Sequence, residues 1–130
     1  MSDIDWRKYK NFQKYEFDCK HTGENKMRPE FLDILQQIRT TYGKPMTITS
    51  GYRHWTHPAE INKDKLGAHT YGVAVDIACY GQDAMDLQVI AYGYGIRRMG
   101  LHQRGAVSGR FIHLDMADKL IGFPSALWTY

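Results

Sequence analysis

Apolar residues recur at helical spacing in two segments of the chain. In the first, Pro29 stands where the opening turn of a helix tolerates proline, and Gly43 stands where helices commonly end. Between them, four apolar residues share one helical face: Phe31, Ile34, Leu35 and Ile38. The pattern predicts an amphipathic helix over residues 29–42. The same spacing recurs over residues 82–92 and predicts a second helix there.

Four other segments have the pattern of strands. Residues 46–49 alternate apolar and polar side chains, whereas residues 72–79 are apolar at most positions, as in a central strand. Residues 97–101 and 110–114 lie on either side of a glycine-rich turn at 105–109 and predict two further strands. Together with the helices, this order predicts an α+β fold with a small, largely antiparallel sheet and the helices on one side.

The composition is that of a globular protein with one domain, which we expect to span residues 1–130. Hydrophobic residues make up 43% of the chain and charged residues 24%. No stretch approaches the roughly 20 apolar residues that cross a bilayer, and the N-terminus lacks the pattern of a secretory signal. We therefore expect synthesis in the cytoplasm and no membrane partner. The net charge is +3 without a run of Lys or Arg, so we expect no nucleic-acid partner. We expect a monomer, although no sequence feature specifies the oligomeric state.

The two cysteines, Cys19 and Cys79, lie far apart in the sequence. They do not have the CxxC spacing of a metal-binding or redox pair. We expect them to be free buried thiols, with a disulfide between them as the alternative.

Three residues could together hold a metal ion. His69 precedes the predicted central strand, Asp76 lies on that strand seven residues later, and His113 lies within the last predicted strand. A histidine in an apolar strand needs a partner, because an unpaired buried imidazole is costly. Two imidazoles and one carboxylate form the three-ligand site of a catalytic zinc ion, which keeps a fourth position open. The alternative is a plain α+β domain in which His113 bonds to Asp115 or to a carbonyl group.

The wider sequence around these residues resembles the zinc D-Ala-D-Ala carboxypeptidase family. The motifs occur in the order Ser50-Gly51-Tyr52-Arg53, Asn62, Gly67 to Ile77 with His69 and Asp76, and Ile112-His113-Leu114-Asp115. The resemblance runs from about Phe12 to Tyr130. The family includes D,D-peptidases and the L-alanyl-D-glutamate endolysins of bacteriophages, and the Hedgehog signalling domain shares its fold.

The resemblance implies a Zn²⁺ ion held by His69, Asp76 and His113, and a peptide stem of bacterial peptidoglycan as the substrate. It implies that Arg53 contacts a substrate carbonyl or carboxylate, with Tyr52 and Ser50 beside it in substrate binding. The resemblance also implies where the protein acts. It would be a phage lysis enzyme that reaches the cell wall after release from the cytoplasm, or a component of a phage particle. The bond that is cut remains open. Arg53 could instead form a surface ion pair.

The chain departs from the family pattern at the catalytic base. Many members carry Glu or Asp three residues before the last histidine ligand, and this chain carries Arg110, which cannot accept a proton. Asp115 is the nearest carboxylate and, on the same strand face as His113, could act as the base or could orient a ligand histidine. His102 could help to stabilise charge in the same pocket. If none of these acts, the alternative is a non-catalytic zinc-containing domain.

Overall fold

The computed structural model describes residues 4–130 and contains one five-stranded sheet. Its strands are β1 (Thr47–Ser50), β2 (Ala74–Ala78), β3 (Arg98–His102), β4 (Phe111–Asp115) and β5 (Ala126–Thr129). Its helices are α1 (Pro29–Tyr42), α2 (Gly81–Gly93) and the short α3 (Ala117–Leu120), and three 3-10 turns cover Trp6–Lys8, Lys14–Phe17 and Val107–Gly109. The strand order is β1-β2-β4-β3-β5, antiparallel except for the β3–β5 pair. The predicted α+β fold with a largely antiparallel sheet is confirmed.

The first predicted helix is confirmed at both ends. Pro29 occupies its first turn, and Gly43 ends it in the left-handed conformation with φ of 72°. The N–H group of Gly43 donates to the Arg39 carbonyl, which satisfies one of the free carbonyl groups of the last turn. The second helix, α2, is one residue longer at each end than the predicted range 82–92.

The central strand is shorter than the sequence pattern predicts. Gly72 and Val73, the first two residues of the predicted strand 72–79, instead belong to the preceding turn. Gly72 has φ of 75°, and its N–H group donates to the His69 carbonyl. A side chain at Gly72 would meet the Lys26 carbonyl, so glycine is required for this close approach of two chain segments. The other three predicted strands each begin and end one residue later than expected.

The alternation along the strands separates two faces of the sheet. On one face, Val75, Ile77, Ile112 and Leu114 are buried in the core that they share with apolar residues of α1 and α2. On the other face lie polar residues of the same strands, and this face carries the site described below. In residues 4–130, no helix is long and apolar enough to cross a membrane. Cys19 and Cys79 are both free and buried, as predicted.

The sequence pattern missed α3 and β5. The strand β5 pairs in parallel with β3 and places Trp128 opposite Gly100. The indole ring covers Gly100 so closely that an added Cβ atom would lie 2.4 Å from its Nε1 atom. Gly100 therefore allows the last strand to bring an aromatic ring onto the polar face of the sheet.

Candidate metal centre

Two neighbouring strands and one turn bring His69, Asp76 and His113 together. Asp76 and His113 are direct cross-strand partners in the antiparallel pair of β2 and β4, so their side chains leave the same face side by side. His69 reaches them from the turn that ends at Gly72. All three side chains are buried.

The distances within this cluster suit a small tetrahedral cation. The Oδ1 atom of Asp76 lies 3.3 Å from Nε2 of His69 and 3.0 Å from Nδ1 of His113. One donor atom from each of the three residues lies within 4.8 Å of the other two. Zinc bonds to nitrogen and oxygen are about 2.0–2.1 Å long, so the donors of a tetrahedral site lie about 3.3 Å apart. The residues present therefore fit a zinc ion.

The imidazole of His69 is fixed by a contact outside the cluster. Its Nδ1 atom lies 2.7 Å from the Gly51 carbonyl oxygen. A carbonyl oxygen can only accept, so Nδ1 carries the proton and Nε2 presents its lone pair to the cluster. This is the arrangement in which a second hydrogen bond sets the tautomer of a metal ligand.

The imidazole of His113 lies between two carboxylates. Its Nδ1 atom faces Asp76, and its Nε2 atom lies 2.6 Å from Oδ2 of Asp115. The other oxygen of Asp115 accepts from Nε of Arg98 at 2.7 Å and from the Ala117 N–H group at 2.9 Å. Asp115 is fully buried behind the ring of His113. Of the two roles that the sequence allowed for Asp115, this geometry matches the orientation of His113.

Protonation in the cluster follows from burial and these contacts. Burial lowers the pKa of His69 and thereby favours its neutral form. Burial opposes ionisation of Asp76, but hydrogen bonds from His113 and His69 outweigh it and hold the pKa of Asp76 well below its usual range. For His113, burial is outweighed by the hydrogen bonds to Asp115 and Asp76, which raise its pKa. A metal ion at Nδ1 needs the neutral form of this nitrogen, so the raised pKa of His113 opposes metal binding more strongly as the pH falls.

Arg53 lies three residues after the end of β1 and contacts the candidate ligand Asp76. All three nitrogen atoms of its guanidinium group donate hydrogen bonds. Its Nε donates to Oγ of Ser50 at 3.1 Å, and its Nη2 donates to Oδ2 of Asp76 at 3.3 Å. Its Nη1 donates to Oε2 of Glu60 at 3.2 Å. Arg53 is thus a partly buried neighbour of the candidate ligands, and its ion pairs are not those of a surface residue.

Sequence reasoning missed Glu60, which is buried and also binds Lys63 at 3.1 Å. The segment between Arg53 and His69 carries several charged residues and no strand or helix periodicity. The order of residue types in such a loop does not indicate which carboxylate turns inward. The only signal was its position between two residues of the matched motifs.

The residues that the sequence assigned to the site do not all line it. A cleft of about 310 Å³ opens over the cluster and is lined by Arg53, the three candidate ligands and Asp115. Ser50 contributes through Arg53. Tyr52 is buried among core residues, and its N–H group donates to the Phe17 carbonyl. His102 stacks on Phe111 with ring centroids 5.0 Å apart. Neither Tyr52 nor His102 belongs to the cleft lining in the described part of the chain.

Arg110, the residue that replaces the family carboxylate, has a structural role. Its Nε and Nη2 atoms donate to the Gly105 carbonyl at 3.0 and 2.8 Å. This pair of bonds closes the turn between β3 and β4. Arg110 therefore stabilises a loop and does not line the cleft.

The cleft has a charged wall and an aromatic wall. Glu60, Lys63 and Arg53 form the charged wall. Four rings form the aromatic wall: Phe111, Phe123, Trp128 and Tyr130. Three of these rings come from the segment after β4. This segment contains β5, which the sequence pattern did not predict. The cleft thus offers both charged and apolar side chains to a ligand beside the candidate metal position.

Comparison with known proteins identifies the family of the chain. The family model described as Peptidase M15 matches residues 8–115, which is most of the chain and includes His69, Asp76 and His113. A search of curated proteins finds no match. The resemblance that the sequence motifs carry is confirmed by the family match. The chain therefore belongs to the peptidase M15 family, whose members are zinc-dependent peptidases that act on peptidoglycan.

Proposed function

We propose that this chain hydrolyses a peptide bond in the stem peptides of bacterial peptidoglycan, with zinc held by His69, Asp76 and His113. The observation that carries the proposal is the spacing of 3.0–3.3 Å between Asp76 and the two imidazoles, beside a cleft with room for a peptide. When bound, zinc supplies a Lewis acid that polarises the scissile carbonyl group. The remaining requirements are substrate binding, ligand orientation and proton transfer, and they fall to side chains of the chain itself.

Arg53 is the proposed substrate-binding residue. A guanidinium group has five N–H donors, and three nitrogen atoms of Arg53 each use one donor in the contacts to Ser50, Asp76 and Glu60. Two N–H donors remain. Because the side chain is 20% exposed and lines the cleft, they can meet a carbonyl or carboxylate oxygen of the peptide.

Asp115 is proposed as the residue that orients His113. Its two oxygens are occupied by His113, Arg98 and the Ala117 N–H group. A carboxylate in this position fixes the ring and raises the basicity of the ligand nitrogen. Because both oxygens already accept hydrogen bonds, Asp115 is less suited to take a proton from an attacking water molecule.

A non-catalytic zinc-containing domain is the second candidate function. One observation favours it: the three carboxylates that line the cleft, Glu60, Asp76 and Asp115, are each paired with a cation or an imidazole. Hydrolysis needs a proton acceptor near the attacking water. In the described part of the cleft, a free carboxylate for this step is absent, so zinc binding and turnover need separate tests.

The setting that we propose is degradation of the cell wall during lysis, as in a D-Ala-D-Ala carboxypeptidase-like or endolysin-like enzyme of a phage. This rests on the resemblance of the motifs. A net charge of +3 suits an anionic polymer such as the wall. In that setting the protein acts after release from the cytoplasm.

One experiment tests both candidates. Purified peptidoglycan is incubated with the zinc-loaded protein or with the His69→Ala variant, and the released fragments are identified by mass. Release of free alanine by the wild type alone indicates a carboxypeptidase, and release of longer peptides indicates an endopeptidase. Stoichiometric zinc without any fragment supports the non-catalytic domain. A wild type that binds no zinc contradicts both candidates.

A further inference from the structure

Glu60 is a buried carboxylate that the proposed reaction has not used. Its side chain is 1% exposed, although its chain neighbours Ala59 and Ile61 are exposed. Burying a carboxylate is costly unless cations and hydrogen bonds compensate for the lost water. The loop between β1 and β2 therefore directs this one carboxylate inward against that cost.

The chain around Glu60 is arranged to hold the carboxylate in place. The Glu60 N–H group donates to the His57 carbonyl, and the Glu60 carbonyl accepts from Lys63, so the residue sits in a hydrogen-bonded turn. Gly67, two residues before His69, leaves the space that the carboxylate fills, because an added Cβ atom there would lie 3.0 Å from Oε1 of Glu60. The absence of a side chain at Gly67, close to the candidate ligand His69, therefore lets the Glu60 carboxylate pack against the backbone.

The carboxylate joins two cations. Its Oε2 atom accepts from Nη1 of Arg53 at 3.2 Å and from Nζ of Lys63 at 3.1 Å. Burial is outweighed by the hydrogen bonds and charges of Lys63 and Arg53, which lower the pKa of Glu60. A carboxylate that is stabilised in this way remains ionised and is a weak proton acceptor. Its contacts suit a structural partner of Arg53 better than a base.

The consequence for Arg53 follows from the three directions of its contacts. Ser50 holds Nε, Asp76 holds Nη2, and Glu60 holds Nη1. Without Glu60 the Nη1 atom would lose its acceptor, and only the contacts to Ser50 and Asp76 would restrain the guanidinium group. Glu60 also balances part of the positive charge of Arg53, which Asp76 alone would otherwise balance.

We propose that Glu60 is a positioning residue for the peptidase: it fixes the Arg53 guanidinium group so that its two free N–H donors face the substrate peptide. This inference rests on the proposed function, because it assigns those donors to a peptide. It places substrate recognition in the loop between β1 and β2 and assigns it to the Arg53–Glu60 ion pair, which lies beside the candidate metal ligands.

The test compares Glu60→Ala and Glu60→Gln with Glu30→Ala as a matched control. Glu30 forms an Arg–Glu pair of the same length, 3.2 Å, with Arg28, but on the exposed start of α1 and away from the cleft. For each zinc-loaded variant, kcat and KM are measured on a soluble stem peptide. In parallel, solvent exchange of the Arg53 guanidinium N–H groups, including those of Nη1 that face Glu60, is followed by nitrogen-15 NMR, which requires no turnover.

The expected result is an increase of KM by about tenfold or more in Glu60→Ala, as for other residues that orient a site, with a smaller change in kcat and faster exchange at Arg53. Glu60→Gln keeps an acceptor oxygen and should recover most of the loss, and Glu30→Ala should match the wild type. If Glu60→Ala does not fold, Glu60→Gln carries the test, with a smaller shift in the same direction.

Two results would overturn the inference. One is a loss of kcat in Glu60→Gln with KM and Arg53 exchange unchanged, which would assign Glu60 to proton transfer. The other is wild-type behaviour of Glu60→Ala in both measurements. If the wild type itself releases no peptide, the proposed function fails, but the exchange measurement still decides whether Glu60 fixes Arg53.

Discussion

Asp115 and Asp76 contact opposite nitrogen atoms of the same imidazole. Nε2 of His113 lies 2.6 Å from Asp115, and Nδ1 lies 3.0 Å from Asp76. The buried carboxylate of Asp115 therefore polarises the ring and raises the basicity of Nδ1, the atom that faces the candidate metal position. This relationship makes Asp115 a supporting residue, and it can be tested by separating zinc affinity from turnover.

We expect Asp115→Asn to lower zinc affinity by about 10–100-fold, because the amide no longer fixes and polarises His113. Activity should fall at low zinc and should recover largely when zinc is raised. Zinc affinity is measured by competition with a chromophoric chelator, and activity is measured at matched zinc occupancy. Loss of turnover at full occupancy, with zinc affinity unchanged, would instead identify Asp115 as the base.

Removal of the metal should destabilise the fold. Three buried polar side chains converge on one point, and a bound cation compensates for their burial. At a free zinc concentration of 100 times Kd, binding contributes about 2.7 kcal/mol to the free energy of unfolding. We therefore expect EDTA to lower Tm and added zinc to restore it. In His69→Ala, Tm should be nearly insensitive to EDTA, and equal EDTA sensitivity of the two proteins would contradict the site.

The parts of the fold that sequence could predict are those fixed by local chemistry. The helix over residues 29–42 was predicted correctly at both ends because Pro29 and Gly43 mark its start and its end through backbone geometry. The four strands β1 to β4 were predicted from their apolar patterns, but the pairing of β2 with β4 that brings Asp76 beside His113 was not. Strand ends shifted by one or two residues where turns such as the one at Gly72 take the first residues of a strand.

The parts that sequence could not predict depend on contacts between distant segments. The strand β5 exists because Ala126–Thr129 pairs with β3, and nothing in four residues of mixed polarity indicates that pairing. The role of Asp115 was open because strand periodicity assigns a side chain to a face but does not set the rotation of the His113 ring. Glu60 was missed because burial of one loop carboxylate depends on where Arg53 lies.

The thiol of Cys79 gives a prediction for stability at alkaline pH. Burial raises its pKa to about 11 from a model-peptide value of 9.0. Because the folded thiol holds its proton more tightly than the unfolded one, its contribution is complete below pH 9 and is lost as the pH rises towards about 11. Relative to Cys79→Ala, the wild type should lose roughly 2–3 kcal/mol of unfolding free energy across this range. Urea titrations of both proteins at several pH values measure the difference, and parallel curves would contradict the assignment.

The aromatic wall depends on the absence of a side chain at Gly100. A Cβ atom there would lie 2.4 Å from Nε1 of Trp128, so Gly100→Ala must displace the indole ring or separate β5 from β3. We expect a loss of about 1–3 kcal/mol in unfolding free energy, as for other overpacked sites, together with a higher KM for the peptide.

Gly109→Ala is the matched control for Gly100→Ala, because an added Cβ atom at Gly109 meets no atom within 4 Å. It should change neither stability nor KM appreciably. Urea unfolding measures the first quantity and steady-state kinetics the second. If Gly100→Ala lowers stability but leaves KM unchanged, the rings of the last strand support the sheet without contacting the substrate. If Gly100→Ala raises KM while Gly109→Ala does not, the segment beyond β4 takes part in recognition of the peptide.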